Sequence, residues 1–153
     1  MNGAHIHLLL NHIPVLGSIF SLCLLIYGGL TKKDIICNVA LFTTVIAALF
    51  CIPGYLSGDE AEHVVEPIIG INKAALDAHE EMAEIAFWLL LMNGAIALAT
   101  LVSAVKKKFH SSYLLWINAI LLALTVAVIA RTAYVGGQVR HSEISVVVSG
   151  VIE

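Results

Sequence analysis

The chain has 153 residues, of which 59% are hydrophobic and only 12% are charged, and its formal net charge is −3. A typical soluble domain has about 45–50% apolar and about 25% charged residues, so this composition excludes an ordinary soluble domain. The negative balance also argues against a nucleic-acid partner. The charged residues gather between apolar blocks, and about 20 apolar residues suffice to cross the hydrocarbon layer. The composition therefore predicts an integral membrane protein whose main surroundings are the lipid bilayer.

Four apolar blocks succeed one another along the chain and predict an all-α membrane four-helix bundle in a single domain, 1–153. The predicted spans are about 11–30, 35–56, 85–105 and 113–135. An acidic connector at 57–67 and an amphipathic approach at 71–84 separate the second span from the third. For the short β-branched tail, 142–153, we expect a loose strand or no regular structure.

The basic residues predict the orientation of the bundle. Five of the eight lie in two short loops, 31–34 and 106–112. The positive-inside rule places both loops in the cytoplasm and gives an N-out, C-out topology, which we assign to a bacterial inner membrane. The periplasmic side then carries most of the acids and six of the seven histidines, and only His110 faces the cytoplasm.

Those six histidines form a predicted cap on the periplasmic side. A single histidine at a membrane interface is usually an ordinary polar residue. The acidic residues nearby are most simply explained as a surface exposed to water. Six histidines on one face, drawn from every helix end, instead indicate ligands for a cofactor. The cap consists of His5, His7, His12, His63, His79 and His141.

Helix rise gives each histidine a height above the cytoplasmic edge. At 1.5 Å per residue, His12 lies about 30 Å above Lys32 and His7 about 37 Å above it. His79 lies about 40 Å above Lys106. His141 lies at a similar height above Ser112 unless the glycine pair at 136–137 breaks the helix. His7, His79 and His141 are thus predicted to lie level with one another, with His12 below them.

Helical rotation separates the first two candidate ligands. At about 100° per residue, His7 and His12 point about 140° apart, so they cannot bind opposite faces of one metal. Each needs a partner from another helix, for which His79 and His141 are the natural candidates. His5 shares the stripe of His12 and, with His63 in the connector, is a second choice as ligand.

The ligand type alone leaves the cofactor open, because neutral imidazole binds zinc, copper, iron and haem. A non-haem site needs three or four ligands, which the histidines with Glu80 or Glu84 would supply. A di-iron site needs Glu-x-x-His from two helices, and only Glu60–His63 has that spacing. Haem b needs one or two imidazoles from facing helices, an apolar slot and cations near its propionates.

Cations are scarce on the predicted periplasmic face. Arg131 lies within the outer end of an otherwise apolar span, where ionisable residues are costly and usually functional. With Arg140 and Lys73 it completes the set of cations on that side. Their carboxylate partners are either haem propionates or the side chains of Glu80 and Glu84.

The motif His7-x4-His12-Ile-Pro on the first span, with His79 opening the third and Gly-Gly-Gln-Val-Arg140-His141 closing the fourth, resembles a family of small bacterial four-span membrane proteins catalogued as a domain of unknown function. Members of that family resemble b-type cytochromes. The resemblance implies His7, His12, His79 and His141 as the histidines of interest. This chain departs from the family motif in having leucine after His7 and isoleucine between His12 and the proline.

The leading hypothesis is a membrane b-type cytochrome with one or two haems near the periplasmic edge. We expect an electron-transfer protein or subunit rather than a stand-alone enzyme, with a periplasmic redox protein or a quinol as electron partner. We also expect a homo-oligomer or a subunit of a larger membrane complex. Two rivals remain: a non-haem copper, zinc or iron site at the same histidines, and a cofactor-free structural subunit whose small residues Ala95, Ala99 and Ser103 allow close helix contact.

Overall fold

The computed structural model describes residues 3–65, 71–107 and 112–139. Within these ranges all regular structure is helical, which confirms the predicted all-α class. Four of the helices are long and apolar enough to cross a membrane, as in a multi-pass membrane protein. The helices are α1 (Gly3–Thr31), α2 (Asp34–Leu56), α3 (Gly58–Val65), α4 (Lys73–Lys107) and α5 (Ser112–Gln138), of which α3 is too short to span.

Three helices extend beyond the apolar segments that predicted them. α1 begins eight residues before the predicted span, and α4 joins the amphipathic approach and the third span into one helix. α5 continues through Gly136 and Gly137 to Gln138. The acidic connector contains the short helix α3, whereas the predicted tail, 142–153, lies outside the described residues.

A tight turn reverses the chain between α1 and α2. Lys32 adopts a left-handed backbone conformation with φ of 53°, and the N–H of Lys33 donates to the carbonyl of Gly28 at 3.0 Å. This six-residue closure is the Schellman arrangement that ends many helices. It sets α2 antiparallel to α1 and places the basic residues of this loop at one end of the bundle. We call that end the basic end and the opposite one, where α1 and α4 begin, the histidine end.

The four long helices form a closed square. α1 packs against α2 and α5, and α4 packs against the same two helices, so α1 and α4 occupy opposite corners. At the histidine end, the N–H of Asn72 donates to the carbonyl of Val139 at 2.9 Å and ties the start of α4 to the end of α5. The Asn72 side chain also caps α4 by accepting from the N–H of Ala75 at 3.2 Å.

α1 and α2 keep one register over most of their length. Ser21 shares a hydrogen bond with Thr44 near the middle of the bundle. His7 lies fourteen residues before Ser21, and Gly58, the first residue of α3, lies fourteen residues after Thr44. The ring of His7 is 3.9 Å from the position that a Cβ on Gly58 would take. The register places His7 beside the junction of α2 and α3.

The core of the bundle is built from small and polar side chains as well as leucines. One apolar cluster near the basic end centres on Leu25 and Leu41, and another, toward the histidine end, joins Leu90 to alanines of α2. Between and beside these clusters lie hydroxyl and amide side chains that are at most 2% exposed. They are Ser18, Ser21, Thr44, Asn93, Thr100, Asn118 and Thr125.

Candidate functional site

His7 lies on the inner side of α1, half-buried against the end of α2. Its Nδ1 lies 3.0 Å from the carbonyl oxygen of Gly54 and 3.5 Å from the hydroxyl of Ser57. A carbonyl oxygen can only accept, so Nδ1 carries the proton and donates it. In the neutral ring the lone pair is then on Nε2. A Cβ on Gly58 would lie 3.9 Å from Nδ1 and Cε1 of this ring, which is an ordinary van der Waals contact.

His79 occupies an equivalent environment on the opposite corner helix. Its Nδ1 lies 2.9 Å from the carbonyl oxygen of Thr132 in α5, so this ring also donates from Nδ1 and keeps the lone pair of its neutral form on Nε2. A Cβ on Gly136 would lie 2.8 Å from Nδ1 and 2.9 Å from Cε1 of the same ring. The imidazole of His79 therefore fits against α5 only because residue 136 is glycine.

The two rings lie on diagonally opposed helices at the same end of the bundle. Both are half-buried at the histidine end, and each is oriented by a carbonyl of the helix beside it. Histidines that bind metals in proteins very often donate their second ring nitrogen to a carbonyl or carboxylate in this way. The pair thus has the orientation of two Nε2 ligands.

The other predicted ligands lie elsewhere. His12 is exposed on the outside of α1, where its Nδ1 contacts the carbonyl of Leu8 in its own helix. Its direction differs from that of His7, as the helical rotation predicts. The second choices, His5 and His63, are exposed on α1 and α3. His141 and Arg140 lie outside the described residues, and their predicted roles remain predictions.

Charged side chains surround the histidine end. Arg131 is exposed on α5, with its guanidinium carbon 5.4 Å from the centre of the Tyr134 ring. The carboxyl group of Glu80, one residue after His79, lies within hydrogen-bonding distance of Glu62 in α3. Asp59 and Asp77 stand near the same carboxyl group and make this part of the surface strongly acidic.

The positions of the potential ligands limit the kind of metal centre that these residues can form. Within 3–65, 71–107 and 112–139, no three His, Cys, Asp or Glu side chains come together in a way that would hold a metal ion. Glu60 and His63 stand in the predicted Glu-x-x-His spacing on α3, without a second such motif joining them in the described ranges. What the structure does provide at the histidine end is two half-buried imidazoles, His7 and His79, on opposite corner helices.

Several residues that position the two histidines could not be identified from the sequence, because their side chains take no part in the contact. Thr132 and Gly54 act through backbone carbonyls, and Gly136 acts by lacking a side chain. The glycine pair at 136–137 was visible in the sequence, but its predicted effect was to break the fourth helix. The small residues at 95, 99 and 103, considered above for helix contacts, line an open groove of about 530 Å³ on the outer surface of α4.

No protein-family model, curated protein or solved structure matches this chain. The candidate site therefore rests on the geometry of its own residues.

Proposed function

We propose that this protein is a membrane b-type cytochrome that binds haem b between His7 and His79 and transfers electrons. The observation that carries the proposal is that the two imidazole rings have the same burial, the same tautomer and the same kind of hydrogen-bond partner. Each is half-buried, each donates from Nδ1 to a carbonyl of a neighbouring helix, and each leaves Nε2 as the ligand atom. Neutral imidazole nitrogens of this kind are the ligands through which His7 and His79 would hold a haem iron.

The pair of imidazoles favours haem over a non-haem ion. The porphyrin itself supplies four nitrogen ligands, so two histidines complete the coordination of its iron. A zinc, copper or non-haem iron ion would need three or four protein ligands, and the described part of the chain offers no such group. A non-haem site remains the alternative that the metal content of the purified protein would decide.

The residues of this chain would have different roles in binding the haem. When bound, haem supplies an iron that takes up and releases one electron. The carbonyls of Gly54 and Thr132 hold the two imidazoles in one tautomer and one orientation, and such contacts raise the basicity of the ligand nitrogen. The absent side chain at Gly136 lets His79 reach the interior. Arg131 and Arg140 are the proposed partners of the haem propionates.

The proposed setting follows from the distribution of charge. We place the basic end in the cytoplasm and the histidine end at the periplasmic face of a bacterial inner membrane, because basic residues concentrate in the short cytoplasmic loops of such proteins. The electron partner is then a periplasmic redox protein or a quinol, and the chain acts as a homo-oligomer or as one subunit of a larger complex. We also propose kinship with the four-span family that the histidine motifs resemble. A second haem bound through His12 and His141 is not part of this proposal.

The test is the haem content of purified variants expressed with an adequate haem supply. His7→Ala and His79→Ala should each lose most of the bound haem, because either change removes one of the two axial ligands. His110→Ala, on the opposite side of the proposed topology, is the control and should retain haem at the level of the unmodified protein. Equal haem content in all three variants would refute the proposed site. Stoichiometric metal without extractable porphyrin would point to the non-haem alternative.

A further inference from the structure

One buried polar side chain in the centre of the bundle makes no hydrogen bond to the described residues. Asn93 of α4 is 0% exposed, and neither its amide nitrogen nor its amide oxygen has a partner among the described residues. Buried amide groups nearly always have partners, and the hydrocarbon around a membrane bundle supplies none. A group that both donates and accepts hydrogen bonds would satisfy the two ends of this amide.

The helix register shows what surrounds this amide. Asn118 of α5 donates to the hydroxyl of Thr100 at 3.0 Å and fixes the antiparallel alignment of α4 and α5. Seven residues farther toward the histidine end on each helix, the same alignment sets Asn93 opposite Thr125. On the other side, the backbone carbonyl of Thr44 lies 3.9 Å from the position of a Cβ on Gly94, the next residue of α4. The register thus sets Asn93 level with the hydroxyl-bearing residue Thr125 of α5, and the next residue of α4 lies beside the backbone of Thr44 in α2.

Those hydroxyls cannot donate to the amide, because their protons are already used. Thr125 donates to the carbonyl of Leu121 at 2.8 Å, and Thr44 donates to that of Ala40 at 3.0 Å. A hydroxyl has one proton, so each is left with lone pairs only. This part of the core is rich in acceptors and poor in donors.

We propose that Asn93 binds internal water at the centre of the bundle. A water molecule accepts from the amide nitrogen, donates to the amide oxygen and has a second proton for a hydroxyl oxygen. Buried waters in proteins have this role, with two to four polar partners each. The site is independent of haem and would persist in protein that contains none.

The test uses the full-length protein, labelled with nitrogen-15 and reconstituted in lipid nanodiscs. Magnetisation transfer from water to the side-chain amide of Asn93 is measured by NMR, and the resonance is assigned from its loss in Asn93→Leu. The matched control is the backbone amide of Leu41, which is 0% exposed in the adjoining apolar cluster. We expect a water cross-peak at the Asn93 amide and none at Leu41.

Two results would overturn the inference. Absence of the cross-peak at both positions would mean that the amide is dry. Equal cross-peaks at both would mean that water reaches the core generally rather than occupying a site at Asn93. The decisive spectrum is that of the unmodified protein, and if Asn93→Leu fails to fold, Asn93→Gln serves for the assignment.

Discussion

Gly136→Ala tests the contact that positions His79. The new Cβ would stand 2.8 Å from Nδ1 and 2.9 Å from Cε1 of the imidazole, well inside van der Waals distance. The methyl group belongs to a rigid helix, so the ring must move. Movement of the ring breaks the 2.9 Å hydrogen bond from Nδ1 to the carbonyl of Thr132. The substitution should therefore reorient a proposed haem ligand without removing it.

The expected effect on stability is small, whereas the effect on haem binding is large. Replacing a helical glycine with alanine stabilises a helix by about 1 kcal/mol. Loss of one hydrogen bond costs about 0.5–1.5 kcal/mol, so the two contributions nearly cancel. Loss of a contact that orients a metal-binding histidine typically lowers affinity by about 10–100-fold. We expect a decrease in haem affinity of that order at nearly unchanged stability.

The assay is haem titration of the purified apoprotein, followed by absorbance, alongside thermal unfolding in the same detergent. Gly29→Ala is the matched control, because its Cβ would meet only Trp116 at 3.9 Å, an ordinary contact. It should bind haem as the unmodified protein does. The reasoning is refuted if Gly136→Ala folds normally and binds haem with the affinity of Gly29→Ala.

Three further substitutions test the packing and the charge at the site. In Gly94→Ala the new methyl would overlap the side chain of Ala48, and we expect a loss of about 1–3 kcal/mol in denaturant unfolding; unchanged stability would mean that α2 and α4 are farther apart. Ser21→Ala removes the contacts of its hydroxyl with Thr44 and with the carbonyl of Ala40 and should cost about 0.6 kcal/mol, typical of a hydrogen bond between membrane helices, and a gain in stability would contradict it. Arg131→Leu should lower haem retention or shift the reduction potential if the guanidinium holds a propionate, whereas the same occupancy and potential would assign it a structural role.

The class of the fold was predictable because hydropathy marks membrane segments strongly. The first and last residues of the helices were harder to predict, because hydropathy identifies only the apolar part of a helix. α4 begins at Lys73, twelve residues before the apolar segment that revealed it, because Asn72 caps it and its first turns pack at the histidine end. α3 is short and acidic and gives no apolar signal.

The directions of side chains on one helix were predictable from rotation alone. His7 and His12 were expected to diverge, and the structure has one half-buried and the other exposed. Contacts between helices were not predictable, because they depend on register. No pattern in the sequence indicates that His79 meets the carbonyl of Thr132, or that the amide of Asn93 is buried without a partner among the described residues.

The most direct test of the central claim is the absorption spectrum of the purified protein, recorded oxidised and after reduction with dithionite. The account predicts a Soret band that shifts on reduction, with the sharp visible bands of a haem iron held by two histidines. Absence of a Soret band, after expression with an adequate haem supply, would contradict the proposal that this bundle is a cytochrome.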